Sequence, residues 1–84
     1  MEREGDVMNV YVIQINMKDG SKKFVSFKAA AFWLPKLVTS RQNASPFLDR
    51  NTANLGSDYF WERHWDRSTM DTREITLVKK KWSY

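Results

Sequence analysis

The chain offers little from which an active site can be assembled: one histidine, no cysteine and three glycines among 84 residues. Titratable groups crowd at Glu62, His64 and Asp66. On a helix, residues two apart project to roughly opposite sides, so these three cannot converge on one metal ion, and in a loop they still lack further ligands. His64 reads as an ordinary helix residue stacked near Phe60. Asn54-Leu55-Gly56-Ser57-Asp58 lacks the flanks of a nucleophile elbow, and the glycines do not build a phosphate-cradling loop. Neither catalysis nor a bound metal or cofactor is expected.

Residue types suited to binding are more plentiful. Four Trp, five Phe and three Tyr are many rings for a thin core, since a domain of this size hides only about 60 to 65% of its unfolded surface. Some rings must therefore lie at the surface, where stiff aromatic side chains gain contact area for little lost entropy. Trp61 and Trp65, one helical turn apart, are the most specific local feature. Either they pack in the core or they face a partner, and Tyr59 and Trp33 are further candidate anchors for a protein.

Charge is uneven. Residues 7–48 carry six basic groups against one acid, residues 49–78 carry four basic and six acidic groups, and Lys79-Lys80-Lys81 follows. Lys22, Lys23, Lys79, Lys80 and Lys81 with Trp82, beside Tyr84, Phe24 and Phe27, have the chemistry of a surface that grips DNA or RNA, preferentially single strands. The plainer account is that lysines at hairpin tips and on outer strands guard against aggregation. A net charge of +4 and a pI near 9.6 permit nucleic-acid binding without requiring it.

The elements that must position these groups read as follows. Val7 to Met17 is rich in β-branched residues, Lys18-Asp19-Gly20 supplies a turn, and Lys22 to Phe27 returns as a second strand. A two-residue Asp19-Gly20 turn would mix apolar and polar residues on both faces. A three-residue turn with Gly20 left-handed instead pairs Tyr11 with Phe27, Ile13 with Val25 and Ile15 with Lys23, which gathers apolar residues on one face. Residues 29–38 suit a strand or a short helix; Pro35 confines a strand to the sheet edge, the assignment favoured here. Thr39 to Pro46 reads as loop. Asp49, Asn51 or Thr52 caps a helix running to about Asp66, with Gly56 as its weak point. Around that helix Ala53, Phe60, Trp61, His64 and Trp65 share one arc, while Leu55 and Tyr59 fall among charged positions; either that second patch stays near solvent or the helix breaks at Gly56. Arg73 to Tyr84 alternates as a final strand.

The resulting expectation is an α+β fold: a small antiparallel sheet of an N-terminal hairpin, a third strand and a C-terminal strand, with one helix on one face. The other face is left to solvent or to a partner, and a free sheet edge can pair two chains into a homodimer. The acidic residues 1–6 read as a flexible tip ahead of a single domain spanning 7–84. No apolar run suits a membrane, the N-terminus lacks the form of a signal peptide, and the absence of cysteine fits a cytoplasmic setting.

The leading Tyr-Val-Ile strand, the Lys-Asp-Gly turn, the Phe-rich return, Ala44-Ser45-Pro46-Phe47-Leu48-Asp49-Arg50-Asn51-Thr52-Ala53 ahead of a helix, and the late Ile-Thr-Leu-Val-Lys strand together resemble small accessory proteins of phages and prophages of Gram-positive bacteria. That resemblance covers most of the chain and rests on spacing, with no invariant motif. It implies a non-enzymatic protein that binds and inhibits or redirects a host protein or nucleoprotein, as anti-CRISPR and other anti-defence inhibitors do, or else a self-associating structural component. Inhibitors that imitate DNA are strongly acidic, so the basic character of this chain argues against mimicry.

Overall fold

The computed structural model describes residues 7–27 and 35–81. The possible strand at Phe32–Leu34, the anchor Trp33, the stacking residues Trp82 and Tyr84, and the acidic tip at 1–6 lie outside the described residues, as does the side chain of Lys81. Four strands, β1 (Val7–Met17), β2 (Lys22–Ser26), β3 (Lys36–Val38) and β4 (Met70–Lys81), form one antiparallel sheet in the order β3-β2-β1-β4. One helix, α1 (Arg50–His64), lies on one face.

The hairpin takes the three-residue turn. Ile15 stands opposite Lys23, Gly20 adopts φ of +91°, and the Gly20 N–H donates to the Met17 carbonyl at 3.0 Å. Glycine is the residue that enters this left-handed region without steric cost. The turn is braced by Asp19, whose Oδ1 accepts from the Ser21 hydroxyl at 2.6 Å and its N–H at 2.9 Å. The β1–β2 pairing runs from Asn16 to Gln14, and further along Tyr11 exchanges two backbone hydrogen bonds with Phe47, at 2.8 and 2.9 Å, where Phe27 was expected. The chain at Ser45 takes that position because it is tied to the end of β2. Its N–H donates to the Val25 carbonyl at 3.1 Å, and its Oγ accepts from the Phe27 N–H at 2.6 Å. Residues 36–38 form the expected edge strand, pairing Leu37 with Val25.

Both faces of β1 are apolar in its middle. Ile13 and Ile15 pack with Val25, Phe60 and Met70 beneath α1, while Val12 packs with Phe24 and Ala44 on the reverse face. A strand buried on two sides needs cover on both. The expected open second face is therefore partly closed by the 39–46 segment, which is not wholly loop: Arg41–Asn43 forms a single 3-10 turn, capped by Ser40 and leading into buried Ala44. Toward the hairpin this reverse face turns polar. Gln14 Nε2 donates to Asn16 Oδ1 at 2.9 Å, and Asn16 Nδ2 donates to Thr72 Oγ1 at 2.9 Å.

Asp49 is the cap of α1. Its Oδ1 accepts from the Thr52 N–H at 2.8 Å and its Oδ2 from the Thr52 hydroxyl at 2.9 Å. The helix continues through Gly56 without a break, seating Ala53, Ser57 and Phe60 on the sheet. No helix among the described residues is long and apolar enough to cross a membrane.

Candidate binding surfaces

The two flanks of α1 carry different surfaces because residues two apart on a helix point roughly 200° apart. The expected anchors Tyr59 and Trp61 are thereby separated. Tyr59 leans over the β2 side, its ring 6.3 Å from that of Phe27, and Trp61 faces β4, with the Arg73 guanidinium 5.4 Å from its ring.

On the β4 flank Trp61 and Trp65 stack at 5.3 Å with 22° between their planes. Trp65 Nε1 donates to the Met70 carbonyl at 3.4 Å, and Arg73 reaches Ser57 Oγ at 3.2 Å and Asp58 Oδ1 at 2.9 Å. These contacts close the seam between helix and sheet and hold the Asp66–Thr69 connection against β4. Trp65 ends the helix and is 45% exposed, so the pair both braces the fold and shows one ring to solvent. Asp66 stabilises the same turn: the Ser68 hydroxyl, then the Ser68 N–H, hold its carboxyl below the ordinary value.

On the β2 flank lies an open groove of about 420 Å³ lined by Phe27, Ser45, Phe47, Leu55, Gly56 and Tyr59, with Thr52 at its end. Phe27 and Phe47 meet edge to face at 6.2 Å, and the Arg63 guanidinium sits 4.5 Å above the Tyr59 ring at the rim. Gly56 permits the groove: a Cβ there would stand 3.1 Å from Phe47 Cζ. Leu55, 70% exposed, forms its outer wall. Sequence reasoning found Tyr59 and the Leu55 patch but missed Phe47, whose side chain reaches this face because the backbone at 45–47 crosses beside β2. Gly56 was the available signal, since a mid-helix glycine either weakens the helix or admits a close neighbour, and here it does the second.

His64 stacks on Phe60 at 5.6 Å as expected, and its Nε2 is buried without a hydrogen-bond partner among the described residues. No three His, Asp or Glu side chains among the described residues are grouped to hold a metal ion.

The lysines do not form one cluster. Lys22 stands beside Asn16 and Lys80 beside Met8, eight positions apart along β1, or about 26 Å at the usual strand rise. Strand alternation divides each end again: Lys23 and Lys79 take the α1 face, Lys22 and Lys80 the reverse. Lys80 Nζ donates to the Gln42 carbonyl at 3.2 Å, and Arg41, which sequence reasoning did not group with this end, joins Lys79 and Lys80 around a shallow recess. Phe24 is buried on the reverse face and Phe27 is half-buried in the groove, so neither stands beside these lysines as a stacking platform.

Set against protein-family models, curated proteins and solved structures, the chain gave no match.

Proposed function

We propose that this protein is a non-enzymatic binding module that captures a protein partner through the groove on the β2 flank of α1. One observation carries the reading: among the described residues, a concave, almost wholly apolar surface, walled by Leu55 and floored by Phe27, Phe47 and Tyr59, stands open beside a well-packed core. Contiguous exposed apolar surface of this kind marks interaction sites, and aromatic-lined pockets are where binding energy concentrates. Its size suits one or two large apolar side chains. Arg63 at the rim adds a positive charge, so the fitting partner segment carries an apolar anchor flanked by an acid. The resemblance to phage accessory proteins supports a host protein, or a host nucleoprotein, as the source of that segment, and inhibition or redirection as the outcome.

The test places a photo-reactive apolar residue at position 55 and irradiates Gram-positive bacterial cells producing the protein. One discrete cross-linked product is expected from position 55 and none from Asp58, which pairs with Arg73 on the far flank. Tyr59→Ala should cut the yield about tenfold, the loss of roughly 1.4 kcal/mol that an anchor supplies. Equal products from both positions, or no product from position 55, would overturn the reading.

A further inference from the structure

β4 is an outer strand of the sheet. Its outward edge, from Asp71 to Lys81, meets no other strand among the described residues. An edge of that length templates further pairing unless it is guarded, and Lys79, Lys80 and Lys81 are the type of residue that guards it. Their placement makes the guard directional. The acids Asp71 and Glu74 occupy the first half of the strand and the lysines the last three positions. A parallel neighbour of the same sequence would set lysine beside lysine. An antiparallel one sets the lysine end beside the acidic half.

We propose that β4 pairs antiparallel with β4 of a second copy of this chain, about a twofold axis at Ile75, joining two sheets into one. Antiparallel pairing puts the axis perpendicular to the sheet, so both helices lie on the same side and opposed residues must share a face. Charge then selects the register. An axis at Arg73 or Glu74 opposes each to itself, an axis at Thr76 sets Arg73 against Lys79, and one at Leu77 sets Arg73 against Lys81; like charges directly opposite destabilise a pair. With the axis at Ile75, Arg73 faces Leu77, Thr72 faces Val78 and Ile75 meets its own copy, while Asp71, the extra residue where the register of β4 shifts against β1, stands level with Lys79 of the other copy, with no like charges opposed.

The cover of α1 over β4 fits the same arrangement. The helix is tied to the first half of the strand, through Arg73 and Met70, and leaves Leu77 54% exposed. The twofold axis brings the covered half of one strand beside the uncovered half of the other. The groove on the β2 flank plays no part in this pairing, so either inference stands or falls without the other.

Sedimentation velocity across a dilution series, with circular dichroism confirming that each variant is folded, tests the pairing. The unmodified chain should sediment as a dimer at the concentrated end. Asp71→Lys and Lys79→Asp, both at exposed positions, should each weaken the dimer at least about tenfold by opposing like charges, and the double exchange should restore it. A monomer at every concentration, a dimer indifferent to both single substitutions, or failure of the double exchange to restore pairing would overturn the proposal.

Discussion

Gly56 shows how one missing side chain shapes a surface. A glycine inside a helix costs about 1 kcal/mol relative to alanine, and here it admits the Phe47 ring at the floor of the groove. A branched side chain in its place meets both Phe47 and Ile13 Cδ1, the latter 3.4 Å from an ideal Cβ. Gly56→Val should therefore lower stability by about 1 to 3 kcal/mol through overpacking, read from urea unfolding, and should also abolish cross-linking from position 55. Arg73 is the corresponding residue on the other flank. It satisfies the buried Ser57 hydroxyl, pairs with half-exposed Asp58 and lies over Trp61. The Asp58 pair is worth little in water, whereas the hydrogen bond and the ring contact add to it. Arg73→Ala should cost about 1 to 2 kcal/mol and change the tryptophan emission, while Asp58→Ala costs under about 1 kcal/mol. Equal losses from the two would show that the ion pair alone closes the seam.

Three of the elements end in the same device, an aspartate that accepts from a hydroxyl residue two or three positions on. Asp19 closes the hairpin, Asp49 caps α1 and Asp66 turns the chain into β4. The Ser21 hydroxyl, the Thr52 N–H and the Ser68 hydroxyl respectively are the largest causes holding the carboxyls below the ordinary 3.8. Because the folded values are depressed, the stability these groups contribute is present above pH 3.8 and is lost as pH falls through the folded values. Thermal melts should accordingly show a midpoint that is steady near neutrality and drops in strong acid. Replacing all three by Asn, which keeps the capping and turn geometry, should flatten that drop; an unchanged acid limb would assign it to other carboxylates. These local devices were legible in the sequence. Gly20 and strand alternation fixed the hairpin register, and Asp49 is of the residue type and position that cap a helix. The crossing at 45–47 was not legible, because it depends on the Ser45 and Tyr11 backbone contacts, which no local propensity encodes. For the same reason the groove was only half visible: Leu55 and Tyr59 marked an apolar patch on the helix, but Phe27 and Phe47 join it through the tertiary fold.

At the scale of the whole molecule, the sheet decides what the lysines can do together. Five lysines gripping one single strand would release counterions in proportion, giving a slope of log K against log salt of about −3.5. The sheet instead holds Lys22 and Lys23 of β2 about 20 to 26 Å, measured along β1, from Lys79 and Lys80 of β4 and turns the members of each pair to opposite faces. A strand lying on one face meets one of these four lysines near each end. About two contacts give a slope near −1.4. Fluorescence anisotropy with labelled single-stranded DNA and RNA over a salt series should thus show a shallow slope and dissociation constants no tighter than the roughly 10⁻⁴ to 10⁻⁶ M of nonspecific binding. Charge reversal at Lys80, whose end of the sheet also carries Arg41, should lower the affinity at least as much as reversal at Lys22, and the two effects should add, since the two lysines share no cluster. A slope approaching −3.5 together with tighter binding would require one backbone to engage both ends and both faces. The nucleic acid would then have to wrap the sheet, and the function would belong there rather than to the groove beside α1.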